Sequence, residues 1–489
     1  MNVLFRADAS MALGSGHVQR CLALAAALSA KGASCNFAAR DLSGNANALI
    51  KAAGHSVFVL PPQPADPQND AAETVQAIAD LGTVDLVIVD HYALDRDWED
   101  AFRPYAHRCA VIDDLANRPH RCDVLIDVSQ AEDRAAQYEP LVPVDALLLL
   151  GPRYAILRPE FRSIRATMRQ RSGALDRVLI SFGAIDADNH SELAWRAVRA
   201  VATEAEIDIV LGGNALHLKH VAEAIRTDTR THLHVDTPAM AKLMAAADLA
   251  IGAGGTTTWE RACLGLPAIV TAIADNQRDN IRALAETGAA LSVAAGDGYA
   301  EQLKGAMASL KADPSRLVAM SKAAGDLVDG KGAERLAAIL LRPRVTMRSA
   351  TIADCESIWR WRNADFVLQG SKTPAPVSLP DHRAWFEAVL KDANRRVLIG
   401  EADGEPVGVL RFDLLENEAT ASVYLTPQGR GRGIGPELLI QGQIWLRSNA
   451  PHVVRIKAEI RSTNEASIEA FKAARYRRTG DLYVRELKA

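Results

Sequence analysis

Short apolar runs alternate with alanine-rich, amphipathic segments over the first 340 residues of the chain. This alternation is typical of parallel sheets whose strands are joined by helices. The runs predicted as strands in the first part are 2–7, 34–39, 56–60, 85–90, 109–113 and 124–127. Those predicted in the second part are 177–183, 206–213, 231–236, 247–255 and 267–273. The pattern therefore predicts two Rossmann-like α/β units of similar size.

The segment 141–161 separates these two units. It contains Pro143, Pro152 and Pro159, and proline lacks a backbone donor and fixes φ, so the segment is predicted to hold no regular element. We place the domains at 1–150, 151–343 and 344–489.

The pattern changes in the third domain. Residues 395–428 alternate as antiparallel hairpins, with turns predicted at 403–404 and 416–418. Four tryptophans also fall in this last third: Trp359, Trp361, Trp385 and Trp445. We expect an α+β domain that is built differently from the first two.

Composition narrows the classes of partner. The 489 residues carry a net charge of −4, which gives no overall basic field for nucleic acid or an anionic membrane. No secretory signal and no apolar span of 18 residues is apparent, so we expect a cytoplasmic protein that acts on small molecules. The six cysteines are widely spaced and predicted to be reduced thiols. The sequence does not indicate an oligomeric state.

A glycine loop follows the first strand, in "RADASMALGSGHVQRC". Gly14 and Gly16 allow a ligand to approach the backbone, and the helix that starts beyond them favours an anion or a sugar hydroxyl. The helix dipole is expected to lower the pKa of His17, leaving a neutral ring that can accept a proton. Arg6 and Asp8 lie at the same strand end, and Asp8 is the expected partner that orients His17. The alternative is a histidine that only caps the loop.

A second glycine loop, "GAGGTTTWE", follows the strand at 247–255. Gly254, Gly255 and Thr256 precede a helix, and free backbone N–H groups there suit a diphosphate without a metal. The alternative is a tight strand-to-helix turn. The acidic pair Asp113 and Asp114 has no accompanying ligand cluster, so we expect a structural role for it and no metal site.

Three motifs, "RADASMALGSGHVQRCLALAAAL", "VIDDLANRPHRCDVLID" and "IGAGGTTTWERACLGLPAIV", resemble the UDP-sugar hydrolases of pseudaminic acid biosynthesis. These are relatives of the GT-B glycosyltransferases that build peptidoglycan lipid intermediates. The resemblance implies a two-domain GT-B fold with the nucleotide sugar in the cleft, and His17 as the base that activates water. It also implies that Glu260 binds ribose and that the segment 274–280 contacts the sugar. The predicted UDP-sugar ligands are Arg6, Gly14, Gly16, Gly183, Gly254, Gly255, Thr256, Glu260, Asn276, Gln277 and Asn280.

The segment "VYLTPQGRGRGIGPELLIQGQIWL" resembles the acetyl-CoA loop of GNAT-family N-acetyltransferases, in which backbone N–H groups hold the CoA pyrophosphate. The predicted contacts in and beside this loop are Leu425, Arg430, Gly431, Arg432, Gly433, Ile434 and Gly435. Asn464 is expected to contact the pantetheine arm or to cap a helix, and Ser467 to touch CoA. Many relatives have a tyrosine acid where this chain has Phe471, so the acid is left open between Tyr424, Tyr476 and water.

Together these features predict a bifunctional enzyme of pseudaminic acid biosynthesis with acetyl-CoA as co-substrate. The C-terminal domain would acetylate the 4-amino group of a UDP-amino sugar. The N-terminal part would then hydrolyse UDP-2,4-diacetamido-2,4,6-trideoxy-β-L-altropyranose to the free sugar and UDP. One alternative is a GT-B glycosyltransferase fused to a protein N-acetyltransferase, and another is a nucleotide-sugar sensor without turnover.

Overall fold

The computed structural model describes residues 1–63, 66–130, 133–342, 344–371, 375–402 and 404–487, without the side chain of Asn276. Within these ranges the chain forms two parallel sheets and then a mixed sheet. All six cysteines are buried and unpaired. Each helix of the described ranges is too short or too polar to cross a lipid bilayer.

The first sheet and its helices lie within residues 2–150. Its strands are β1 (Asn2–Ala7), β2 (Ser34–Arg40), β3 (Ser56–Leu60), β4 (Val84–Asp90), β5 (Ala106–Ile112), β6 (Val124–Asp127) and β7 (Leu147–Leu150). Its helices are α1 (Gly16–Ser29), α2 (Asn47–Ala52), α3 (Pro67–Ala77), α4 (Arg96–Phe102) and α5 (Arg134–Tyr138). The strand order β3-β2-β1-β4-β5-β6-β7 reverses direction between β1 and β4, which is where open parallel sheets bind ligands.

Burial on both faces explains the continuous apolar runs of this sheet. In β1, Val3 and Phe5 pack on one side of the sheet and Leu4 packs on the other. Phe5 stacks on Phe37 of β2, with ring centroids 4.8 Å apart.

The second sheet has the order β10-β9-β8-β11-β12-β13 and is also parallel. Its strands are β8 (Arg177–Ser181), β9 (Glu206–Leu211), β10 (Thr231–Val235), β11 (Leu249–Ala253), β12 (Ala268–Thr271) and β13 (Ala290–Ser292). The helices of this part are α6 (Pro159–Thr167), α7 (His190–Val201), α8 (Leu218–Ala224), α9 (Met240–Ala246), α10 (Thr257–Cys263), α11 (Arg278–Glu286), α12 (Tyr299–Ala312), α13 (Pro314–Leu327) and α14 (Gly332–Leu340).

The prediction that segment 141–161 holds no regular element is wrong. Leu147–Leu150 forms β7, which pairs in parallel with β6, and Pro159 begins α6. The prolines flank these elements: Pro143 and Pro152 lie outside β7, and Pro159 takes a first-turn position, where its missing N–H costs nothing.

The third sheet has the order β14-β15-β16-β17-β18-β20-β19. Its strands are β14 (Thr346–Ser349), β15 (Arg395–Ala402), β16 (Glu405–Leu415), β17 (Glu418–Leu425), β18 (Arg455–Glu459), β19 (Arg477–Thr479) and β20 (Leu482–Glu486). Its helices are α15 (Cys355–Arg362), α16 (Asp365–Gly370), α17 (Leu379–Lys391), α18 (Gly435–Asn449) and α19 (Glu465–Ala473). The predicted hairpins are present as antiparallel pairs β15–β16 and β16–β17, whereas β17 and β18 run parallel. Residue 403, in the first predicted turn, lies outside the described residues.

Helix packing and hydrogen bonds join the three units. Helix α14 leaves the second unit and packs against α1 of the first. The third unit packs on β7 through α18 and α19, and Arg475 donates to the carbonyl of Pro143 at 2.8 Å. Arg485 donates to the neighbouring carbonyl of Val144 at 3.2 Å.

A buried ion network ties β1 to α3. Asp70 accepts hydrogen bonds from Arg6 (2.9 and 2.7 Å), from Arg40 and from the Trp98 indole. Burial alone would raise the pKa of Asp70, but Arg6 and Arg40 outweigh it and lower the pKa below its usual value. The carboxylate therefore stabilises the folded state above about pH 4, and this contribution is lost as the pH falls further.

Asp70→Asn is expected to destabilise the protein by about 3 kcal/mol near neutral pH, because the buried Arg6 and Arg40 lose the carboxylate that they share and keep only Asp8 and Glu73, respectively. The difference in thermal midpoint from the wild type should stay constant from about pH 7 to 5 and narrow below about pH 4. Thermal denaturation across this range measures it, with Asp80→Asn at an exposed position as the control. A difference in thermal midpoint that does not depend on pH would contradict the role assigned to the charge of Asp70.

Candidate functional site

His17 is the second residue of α1 and lies at the carboxyl edge of the first sheet. Gly14, at φ +71°, turns the loop, and its N–H donates to the carbonyl of Ser10 at 2.8 Å. Gly16 begins the helix, and the Ser15 hydroxyl accepts a hydrogen bond from the Gln19 side chain. The His17 side chain is 11% exposed, so part of the ring faces the open edge of the sheet.

Asp90, the last residue of β4, is the partner of His17. Its Oδ1 lies 2.6 Å from His17 Nδ1, and the carboxylate is completely buried. A hydrogen bond donated by Nδ1–H to this carboxylate leaves the Nε2 lone pair as the proton acceptor of a neutral ring. Because β4 is the neighbour of β1, the pair lies at the reversal of strand order.

Arg20, one helical turn after His17, supports Asp90. It donates to both carboxylate oxygens at 2.6 Å. Burial would raise the pKa of Asp90, but Arg20 and then His17 outweigh burial and hold the pKa well below its usual range. Tyr92 closes the other side, with its ring 4.6 Å from the His17 ring in an edge-on arrangement. Asp90 is therefore a fixed, charged acceptor for the imidazole.

The expectation that Asp8 orients His17 is wrong. Asp8 accepts hydrogen bonds from Arg6 at 2.6 and 3.0 Å and from the backbone N–H of Arg40 at 2.8 Å. Its other close partner is His91, whose Nε2 lies 3.3 Å away. Nearness in sequence misled the prediction, because the Asp8 carboxylate is taken up by Arg6, Arg40 and His91.

Arg6 does not lie where a ligand could touch it, which corrects its prediction as a UDP-sugar ligand. Its side chain is fully buried, and its donors are taken up by Asp8 and Asp70. Arg6 therefore stabilises the end of β1 through its ion pairs with Asp8 and Asp70.

The second glycine loop lies at the carboxyl end of β11. The Gly254 N–H donates to Gln277 Oε1 at 3.3 Å, and the same oxygen accepts the N–H of Ile273 at 3.2 Å. The structure thus brings together Gln277 and the loop, with Gly255 half-buried and Thr256 exposed before α10. A Cβ at Gly254 would collide with the side chain of Ile281, which would have to move to make room for it.

Glu260 is half-buried in α10, beside Arg158. Arg158 Nη2 donates to Glu260 Oε1 at 3.4 Å. Burial raises the pKa of the Glu260 carboxyl, although the charge of Arg158 opposes this.

Hydrogen bonds join the first unit to the second. Asn280 Oδ1 accepts the backbone N–H of Gln130 at 3.0 Å, and Asn214 donates to the sulfur of Met11 at 3.6 Å. In this state Asn280 therefore bridges the halves. Gly183 is exposed at φ +94° after β8. The side chain of Asn276 lies outside the described residues.

The predicted acetyl-CoA loop joins β17, which ends at Leu425, to α18. Gly431 and Gly433 have φ of +73° and +62°, and Ile434 is fully buried and anchors the loop. Gly435 begins α18 with Pro436 in its first turn. The Arg430 guanidinium stacks over the Phe366 ring at 4.7 Å. Arg432 is exposed between the two glycines.

Asn464 caps α19. Its side-chain oxygen accepts the N–H of Ser467 at 3.1 Å. Of the two predicted roles, pantetheine contact or helix cap, the structure therefore has the helix cap. Phe471 is buried and packs edge-on against Tyr476, with centroids 4.7 Å apart. Tyr476 is itself 3% exposed, whereas Tyr424 on β17 is half-buried near Trp361 and Trp385.

Sequence reasoning missed Asp90, Arg20 and Tyr92. The signal for Asp90 and Tyr92 was the polar run "DHY", which begins at the last residue of the strand 85–90. Asp113 serves as a structural acceptor for Arg118 and Tyr138. In the part of the chain that the structure describes, no three His, Cys, Asp or Glu side chains are grouped to hold a metal ion.

Each of the three units is similar to known proteins. Residues 210–337 match the glycosyltransferase family 28 C-terminal domain, and residues 355–474 match the acetyltransferase (GNAT) family. The fold of the first two units is that of MurG from Acinetobacter baumannii, with a TM-score of 0.51, 19% identity, and coverage of 69% of this chain and 99% of that one.

Two curated relatives align with the first part of the chain. The UDP-2,4-diacetamido-2,4,6-trideoxy-beta-L-altropyranose hydrolase of Campylobacter jejuni is 28% identical over 247 residues, which is 50% of this chain and 81% of that protein. The spore coat polysaccharide biosynthesis protein SpsG of Bacillus subtilis is 29% identical over 196 residues, 39% of this chain and 57% of that protein.

Proposed function

We propose that this chain, a hydrolase-like GT-B pair of domains fused to a GNAT-family acetyltransferase domain, catalyses two consecutive steps on one UDP-linked amino sugar. In the first, acetyl-CoA acetylates the 4-amino group. In the second, the diacetamido product is hydrolysed to the free 2,4-diacetamido-2,4,6-trideoxy-L-altrose and UDP. The name of the Campylobacter relative supports this choice of substrate.

The His17–Asp90 pair carries the hydrolytic half of the proposal. His17 Nε2 accepts a proton from water as the water oxygen attacks the anomeric carbon. The bond from that carbon to the diphosphate oxygen breaks, and UDP leaves with the electron pair from the opposite face. Inversion at the anomeric carbon follows. Asp90 stabilises the imidazolium that forms and fixes the orientation of the ring.

The nucleotide lies across the cleft in this proposal. Backbone N–H groups of Gly255 and Thr256 hold the diphosphate, and Glu260 binds the ribose hydroxyls. Gln277 keeps the Gly254 loop in position through its two accepted hydrogen bonds. Opening of the Asn280–Gln130 contact would free Asn280 to bind the sugar.

In the acetyltransferase half, the loop from Arg430 to Gly435 binds the CoA pyrophosphate. The sugar amine attacks the thioester carbon, the C–S bond breaks, and the CoA sulfur leaves as a thiolate that takes up a proton, while the nitrogen releases one of its protons to solvent and becomes the amide. Tyr424 is the acid we assign to this proton, because Tyr476 is enclosed in the core and a phenyl ring at Phe471 has none to give.

The direct test incubates the UDP-linked amino sugar with acetyl-CoA and follows the products by mass spectrometry. The wild type should give the free diacetamido sugar, UDP and CoA. His17→Ala should stop at the acetylated nucleotide. No UDP release without an added acceptor would favour a glycosyltransferase, and release of neither UDP nor CoA would favour a sensor.

Tyr424→Phe is expected to lower the kcat of acetyl transfer by about a hundred-fold, because the hydroxyl proton is removed while the ring packing is kept. Thiol release measured by a chromogenic reagent follows this step alone. Tyr483→Phe, which also removes a tyrosine hydroxyl from this domain, serves as the control. An unchanged kcat for Tyr424→Phe would leave water as the acid.

A further inference from the structure

Arg342 lies between α14 and the acetyltransferase domain and contacts the predicted acetyl-CoA loop. Its Nη1 donates to the carbonyl of Gly433, and a Cβ at Gly433 would collide with the guanidinium. Arg342 thus reaches the loop from outside the family match, which begins at residue 355.

The guanidinium of Arg342 has no counter-charge in contact with it. Among the described residues no carboxylate pairs with it, and its Nε is buried without a hydrogen-bond acceptor. Burial lowers the pKa of Arg342 to about 10; nearby Tyr154 and Glu437 oppose this effect, and the cations Arg108 and Arg432 add to it. A desolvated cation of this kind is costly unless an anion comes to it.

The first domain holds Arg342 in this position. Arg108 of β5 donates to the carbonyls of Leu340 and Arg342 at 3.2 and 3.1 Å. A cavity opens beside them between the first domain and α18, and its walls include Arg108, Arg344 and Gln441. Arg108 therefore fixes the backbone around Arg342, and Arg342 is the arginine that contacts the loop.

We propose that Arg342 supplies the positive charge that binds the diphosphate of CoA, so that the acetyl-CoA site is completed by a residue from outside the acetyltransferase domain. This rests on the proposed acetyl-CoA binding. The loop offers backbone dipoles, and Arg342 adds the full charge that compensates the diphosphate. Arg108 keeps the arginine in place through its backbone.

Calorimetric titration of the full chain with CoA tests the charge of Arg342 apart from its contact with the loop. Arg342→Ala should weaken CoA binding about ten-fold, a loss typical of one charge-assisted hydrogen bond. Arg342→Gln keeps a donor for the Gly433 carbonyl but no charge, and it should weaken binding as much. Arg342→Lys should restore most of the affinity, and Arg226→Ala, at an exposed arginine just after α8, should have no effect.

Titration with different ligands shows which phosphate groups of CoA interact with Arg342. 3′-Dephospho-CoA should show the same ten-fold loss in Arg342→Gln, whereas pantetheine, which has no phosphate, should show none. Wild-type affinity in Arg342→Gln with loss only in Arg342→Ala would overturn the charge role and leave Arg342 as a loop support. A loss confined to CoA with its 3′-phosphate would also overturn the assignment. Absence of CoA binding by the wild type would refute the proposed acetyltransferase function itself.

Discussion

His17→Ala is expected to abolish release of UDP from the acetylated nucleotide, with a loss of roughly 10²- to 10⁴-fold in kcat. The variant removes the imidazole whose Nδ1 lies 2.6 Å from Asp90 Oδ1. Nucleotide binding should persist, because the proposed diphosphate contacts come from the second domain. Initial rates of UDP release, measured by a coupled assay, give the kcat.

His107→Ala is the matched control, since His107 is an exposed histidine of the same domain at the start of β5. Titration with UDP should give the same affinity for the wild type and both variants. Turnover by His17→Ala within about two-fold of the wild type would remove His17 from the mechanism.

Asp90→Asn is expected to lower the kcat of UDP release by about a hundred-fold, with KM nearly unchanged. An amide at this position is similar in size, but it provides no negative charge for the imidazolium and can accept or donate, so the ring loses its defined orientation. Part of the structure is also affected, because Arg20 loses its buried partner. A thermal melt is therefore run beside the kinetics.

A double-mutant cycle separates a positioning role from a structural one. If Asp90 acts through His17, the variant that combines His17→Ala with Asp90→Asn should be no slower than His17→Ala alone. Losses that multiply in the double variant would show that Asp90 supports the domain rather than the histidine.

Much of the fold follows from local pattern. Strands such as 2–7, 56–60 and 124–127 are mainly apolar runs, and the structure has them at the same bounds. The strand β7 was missed because proline was weighed as a breaker across a whole segment, although four leucines between two prolines are enough for an edge strand.

The partners within the site could not be predicted from sequence distance. His17 and Asp90 are 73 positions apart, whereas Asp8 is nearby in sequence but bound by Arg6. The strand order determines which residues meet: His17 and Asp90 come together because β1 and β4 are neighbours in the sheet. The burial of Arg6 likewise depends on Asp70, which arrives from α3. Such contacts belong to the topology rather than to any short motif.

The docking of the third domain on β7 has a consequence for the integrity of the first. β7 is the last strand of its sheet and consists of four leucines, so one side of it has no strand partner. Bare strands of this kind recruit other chains and promote aggregation. Helices α18 and α19 pack against this strand, so the acetyltransferase domain also protects it from pairing with other chains. Cutting the chain between the domains would expose the leucine side chains at this edge of the first sheet. The first domain therefore depends on the third for the protection of its edge strand.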